Sequence, residues 1–192
     1  MWNSPYILKC VFLHNQKKYQ KAKSRIEGMR IACLQLYPVH KDPIASALRA
    51  DELLSSVQSG SLDLLILPEM AFTGYVFSSK EEIEPFAESI ESFGPCLEWA
   101  RSKAMHLQTC VQIGYPRKHH SQLYNSVSLL MPDGSLGFTY DKHFLFMTDE
   151  IWASPGDGFK TFDLEAFGRV GPVYFIQLFL MVSGNLYGYQ SL

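Results

Sequence analysis

An α/β fold, with helices packed against a sheet, is predicted by three features of the chain. An apolar run over residues 64–67 ends at one acid beside a tight glycine turn; two amphipathic segments, 43–57 and 95–107, alternate with short apolar stretches; and a Pro132-Asp133-Gly134-Ser135 turn separates two further strand-like runs. With 192 residues, 47% hydrophobic and 19% charged, the chain can bury one sizeable core, so a single domain is expected.

Taken in order, residues 29–36, just ahead of Pro38, read as the first strand. Residues 43–57 follow as a helix whose apolar positions Ile44, Leu48, Leu53 and Leu54 predict the core-facing stripe, with Arg49, Asp51 and Glu52 on the wet side. The strand at 62–67 completes a β-α-β unit with Glu69 at its exit. Residues 81–87 are acidic and loosely helical, whereas 95–107 carries Leu97, Trp99, Ala100, Ala104 and Leu107 at helical spacing. A strand at 109–113 comes next; Gly114-Tyr115-Pro116 and residues 117–122 predict a loop, and 124–131 with 137–140 predict a hairpin around the 132–135 turn. The longest apolar run, 173–182 with Gln177 inside it, is too short to span a bilayer, so no membrane segment is expected.

A net charge of -2 gives no electrostatic reason to bind nucleic acid, and neutral small molecules or peptides suit it better as partners. Cys10, Cys33, Cys96 and Cys110 lack CxxC or Cys/His ligand spacing, and no secretory segment precedes the fold, which predicts a reduced, cytoplasmic setting. Residues 1–28 form a basic extension, in which Lys9, Lys17, Lys18, Lys21, Lys23 and Arg25 face only Glu27. It reads either as a mitochondrial presequence or as translated sequence upstream of the domain, with Met29 as the natural start. The pair His119-His120 reads as a wet loop rather than a metal site, because no acid or thiol lies at ligand spacing.

In an α/β architecture ligands bind at the carboxyl ends of strands, which makes Glu69 a candidate general base in a partly dry site. The alternative, that Glu69 only marks where the strand meets water, stands beside that reading. Lys142 sits just past a strand, and Glu150 lies eight residues later. Amide hydrolysis needs a nucleophile, a proton acceptor and a cation for the developing oxyanion. These three residues supply all but the first. Singly, Lys142 also reads as a solvated strand-end charge and Glu150 as an ordinary acid at a helix start.

Leu67-Pro68-Glu69 with Thr73-Gly74-Tyr75, Gly114-Tyr115-Pro116 followed by Tyr124-Asn125-Ser126, and Tyr140 with Lys142 are motifs through which residues 29–171 resemble the carbon-nitrogen hydrolase (nitrilase) superfamily, and within it the protein N-terminal asparagine/glutamine amidohydrolases. Thr148-Asp149-Glu150, Trp152-Ala153 and Gly156-Asp157-Gly158-Phe159 point to the N-terminal amidase branch. The resemblance implies a nitrilase-like α-β-β-α sandwich with mixed sheets, of which residues 29–171 form the N-terminal part and the C-terminal side is incomplete. It also implies homo-oligomers for the complete enzyme, no metal and no organic cofactor.

By the same resemblance Glu69 is the general base, Lys142 stabilises the oxyanion and Glu150 orients the site. The substrates are peptide or protein N-termini beginning with Asn or Gln, converted to Asp or Glu with release of ammonia. The nucleophile is a cysteine four residues past the second glycine of Gly168-Arg169-Val170-Gly171, followed by an acid; here that position is Phe175. Residues 172–192 carry no charged residue, so the motif and the composition shift together, as expected of a retained intron or a frameshift. Two departures are local: Asp141 stands where the branch places an arginine, beside Lys142, and His143 lies one place before the expected histidine, now Phe144. Cys33, Cys96 and Cys110 read as structural thiols, and Cys10 lies outside the domain. Two alternatives follow, an inactive nitrilase-fold fragment that binds without turnover and a small-molecule amidase or ureidase.

Overall fold

The computed structural model describes residues 7–8, 30–164 and 168–171. Strands β1 (Ile7–Leu8), β2 (Ile31–Leu34), β3 (Leu64–Ile66), β4 (Cys110–His119), β5 (Gln122–Leu130) and β6 (Leu136–Asp141) form one mixed sheet in that order. β2, β3 and β4 run parallel, as the crossover helices require, and β4, β5 and β6 form antiparallel hairpins. β1, inside the basic extension, pairs antiparallel with β2. The other residues of 1–28, including Cys10, and all of 172–192, including Phe175, lie outside the described residues. No helix among the described residues is long and apolar enough to cross a membrane.

Helices α1 (Pro43–Leu54) and α3 (Pro95–Leu107) cover one face of the sheet; the short α2 (Lys80–Ile83) and a 3₁₀ turn at Glu84–Phe86 lie between them in sequence. Strand alternation turns Leu34, Leu65, Val111, Ile113 and Tyr115 toward Ala50, Leu54, Leu97, Ala100 and Ala104 of the two helices in one buried cluster. Trp99 Nε1 donates to Asp51 Oδ1 at 2.7 Å and ties α3 to α1. The opposite face carries Cys110, Leu129 and Phe138, packed against Phe162 and Val170 of a second, two-stranded sheet, β7 (Phe162–Leu164) with β8 (Gly168–Val170). Phe138 and Phe162 stack with centroids 4.2 Å apart. Helices on one face and a second sheet on the other agree with the predicted α/β layering.

Two expectations need correction. Ile44 and Leu48 are 66% and 60% exposed, not core. α1 instead buries Ser46, Ala50 and Leu54, a stripe with helical spacing whose small residues let the helix lie close; the Ser46 hydroxyl is satisfied by the Asp42 carbonyl at 2.9 Å. The expected loop after residue 113 is strand: β4 continues to His119, paired through His119 and Gln122, and turns at His120 with φ +53°. Pro116 fits there because its carbonyl, and with it the place of the missing N–H, turns to the edge away from β5, where the carbonyl accepts from Glu88 N–H at 2.9 Å.

Candidate active site

Glu69 sits on the loop leaving β3, held to β4 on both sides. Leu67 N–H donates to the Gln112 carbonyl at 2.8 Å and Ala71 N–H to the Gly114 carbonyl at 2.9 Å. Gly114 permits that approach, since a Cβ there would lie 2.7 Å from Glu69 Cα and 2.8 Å from the Pro68 carbonyl. Met70, Ala71, Phe72 and Thr73 are buried, so the loop is part of the core and the carboxylate it carries is fixed.

Two side chains from distant positions bond to this acid, and a third, Asp149, bonds to one of them. Lys142 Nζ donates to Glu69 Oε1 at 2.7 Å and to Asp149 Oδ2 at 2.7 Å, and Asn125 Nδ2 donates to Glu69 Oε1 at 2.6 Å. Lys142 and Asp149 side chains are each 2% exposed and Glu69 is 14% exposed, so the ammonium and its carboxylates interact in a poorly screened setting. The backbone helps: Lys142 N–H donates to the Asn125 carbonyl at 2.8 Å, and Gly156 N–H to the Lys142 carbonyl at 3.0 Å. A Cβ on Gly156 would fall 2.2 Å from the Asp141 carbonyl, which explains the glycine opening the Gly-Asp-Gly-Phe stretch.

The structure brings Glu69 and Lys142 together and leaves Glu150 out. Glu150 is exposed, and the acid placed on Lys142 is its neighbour Asp149, which also accepts from Phe146 N–H at 3.2 Å. Both acids lie in a 3₁₀ turn, Asp149–Ile151, where successive side chains point about 120° apart. Burial of Trp152 against Met70, Phe77 and Leu123 fixes that turn, with Asp149 inward. Two adjacent acids in an irregular segment carry no periodicity that tells which one faces in. Asn125 was legible only as part of a motif; its bond to Glu69 had no sequence signal.

Asp141, next to the lysine, is engaged elsewhere. Arg117 grips it through Nε at 2.9 Å and Nη2 at 2.7 Å, and Ser126 Oγ donates to it at 2.6 Å. Its charge is met by the guanidinium. His143 places Nδ1 2.7 Å from the Gly156 carbonyl. At the rim, burial and the adjoining Glu69 carboxylate push the Tyr75 phenol far above its ordinary range, so it stays protonated.

Two of the described cysteines, Cys96 and Cys110, are poor nucleophiles. Burial, reinforced by the nearby Glu88 carboxylate, pushes the Cys96 thiol well up, and burial raises Cys110 too; Cys33 is half-buried on β2. Glu88 accepts from Cys96 N–H at 2.6 Å and Leu97 N–H at 3.0 Å, capping α3 where Gly94 offers no side chain. Among the described residues no group of three or more His, Cys, Asp or Glu could hold a metal ion.

Residues 30–174 match the carbon-nitrogen hydrolase family. The chain is 35% identical over 141 residues to a protein N-terminal amidase of Schizosaccharomyces pombe, covering 69% of this chain and 49% of that one. It thus spans about half the length of this relative. A solved N-terminal amidase with an Asn-Glu-Ala peptide superposes with a TM-score of 0.65 at 31% identity, covering 70% of this chain and 33% of that one. A second, with a Gln-Gly peptide, gives a TM-score of 0.64 at 30% identity, covering 70% and 32%.

Proposed function

The chain belongs to the carbon-nitrogen hydrolase family, and from that premise we propose that it carries the proton-transfer and oxyanion half of a protein N-terminal amidase site, which deamidates N-terminal Asn or Gln. The observation that carries this reading is the Lys142 ammonium, buried between Glu69 and Asp149 at 2.7 Å from each. Relatives of that name have been solved with peptides that begin with Asn or Gln, which supports the same substrate class here.

In this mechanism Glu69, held at Oε1 by Lys142 and Asn125, takes the thiol proton. The thiolate attacks the side-chain amide carbon, and Lys142 stabilises the resulting oxyanion. Glu69 returns the proton to the departing nitrogen, ammonia leaves, and water then cleaves the thioester to give the acid. While Glu69 is protonated, Asp149 keeps a counter-charge on Lys142, the orienting role that the sequence suggested for Glu150. Phe175 stands where the resemblance puts the cysteine, so the chain as written binds its substrate without turnover.

A mass shift of Asn-Glu-Ala to Asp-Glu-Ala, with ammonia measured in parallel, tests both parts. The chain with Phe175 is expected to convert none; conversion would overturn the assignment of position 175. A mature transcript reading through Gly171 to a Cys-Asp pair is expected to encode an active enzyme in which Glu69→Gln retains less than about a tenth of the rate. Retention above that level would contradict the general base. Tighter binding of free small amides than of Asn-led peptides would favour the small-molecule amidase instead.

A further inference from the structure

Among the described residues, Asn125 Oδ1 is the buried side-chain oxygen or nitrogen that has no hydrogen-bond partner. Asn125 is fully buried, and its other arm, Nδ2, is committed to Glu69 Oε1 at 2.6 Å. Glu69 as a carboxylate only accepts, so the atom facing it must be the NH₂, and the orphan is necessarily a carbonyl oxygen. A planar carboxamide pinned at one end holds that oxygen beside the Glu69–Lys142 pair, at a fixed place and with a demand for a donor. Leaving such an acceptor unmet when buried is costly.

We propose that Asn125 reads the substrate as a primary amide, its Oδ1 accepting an N–H from the substrate carboxamide while its Nδ2 holds Glu69. This rests on the amide-hydrolase reading above and adds the residue that tells amide from acid. A primary amide brings two N–H donors; the acid product brings none and sets a carboxylate against a carbonyl oxygen. One residue thereby favours substrate entry and product departure.

Calorimetric titration of the full chain with Asn-Glu-Ala, Asp-Glu-Ala and Ala-Glu-Ala tests it without requiring turnover. Glu69 and Asp149 repel an acid on their own, so the readout is the ratio of Asn to Asp affinity. Asn125→Ala is expected to lower that ratio about tenfold, whereas a merely structural role would weaken both ligands alike and leave it unchanged. On the unmodified chain, the Asn125 ¹³Cγ resonance is expected to move on adding Asn-Glu-Ala and not on adding Asp-Glu-Ala, which keeps the test available if the variant fails to fold. An unchanged ratio, or an unmoved resonance in the presence of bound Asn-Glu-Ala, overturns this inference alone. Failure of Asn-Glu-Ala to bind better than Ala-Glu-Ala overturns the amidase reading and this inference together.

Discussion

Lys142 is surrounded by charges it compensates. With Glu69 and Asp149 each 2.7 Å from its ammonium and the lysine 2% exposed, removing the cation leaves two carboxylates facing each other with little solvent between them. Lys142→Met is expected to lower the unfolding free energy by about 3–5 kcal/mol, read from urea denaturation; a loss under about 1 kcal/mol would mean the cluster is effectively solvated. The neighbouring acids give a sharper contrast. Asp149→Asn should destabilise by a comparable amount, whereas Glu150→Gln, on an exposed side chain, should stay within about 0.5 kcal/mol. Reversed magnitudes would return the orienting role to Glu150. Sequence made Glu69 and Lys142 legible because each follows a strand, and strand ends are where such residues collect. Asp149 and Glu150 share one context and differ only in which way a short turn faces, a choice made by the burial of Trp152.

Among the elements, β2, β3, β5, β6 and α3 follow from the apolar pattern, whereas β1, β7 and β8 do not, and in α1 the structure differs from that reading because packing distance overrides side-chain size. Ile44 and Leu48 are the larger apolar residues of α1, yet the helix turns its small Ser46 and Ala50 inward. Alanine substitutions should therefore cost about 2–5 kcal/mol at Leu54 and under about 0.5 kcal/mol at Ile44 or Leu48. Thermal melts decide this; a large loss at Ile44 would restore the predicted stripe. The α3 cap carries a pH signature. Burial raises the Glu88 carboxyl above its ordinary range, so the folded state binds that proton more tightly than the unfolded chain does. The stability this contributes is complete below the unfolded-state pKa and is lost as pH rises through the folded one. Glu88→Gln keeps an acceptor for the helix N–H groups without the charge, so its Tm relative to the parent should rise as pH is raised above the ordinary carboxylate range. A difference that stays constant with pH would show that Glu88 is not desolvated.

Across the whole molecule, the site depends on long-range sheet order. Glu69 leaves β3, Asn125 lies on β5 and Lys142 follows β6, so the parallel and antiparallel halves of one sheet must both form before the three meet. Hydrogen exchange should accordingly be slowest in β3, β4 and β5, at the centre of the six-stranded sheet, and faster in the small β7–β8 sheet. The fold class was legible from alternating helices and strands; the continuity of β4 into β5 was not, because Gly114 and Pro116 are turn-favouring residues kept in strand by contacts from the Glu69 loop and Glu88. The most direct test of the account is calorimetric titration of the full chain with Asn-Glu-Ala against Ala-Glu-Ala. A preference for the Asn-led peptide of about tenfold or more is predicted, as Asn125 Oδ1 finds a hydrogen-bond donor on the amide and none on the alanine side chain. Equal affinity for the two peptides would contradict it.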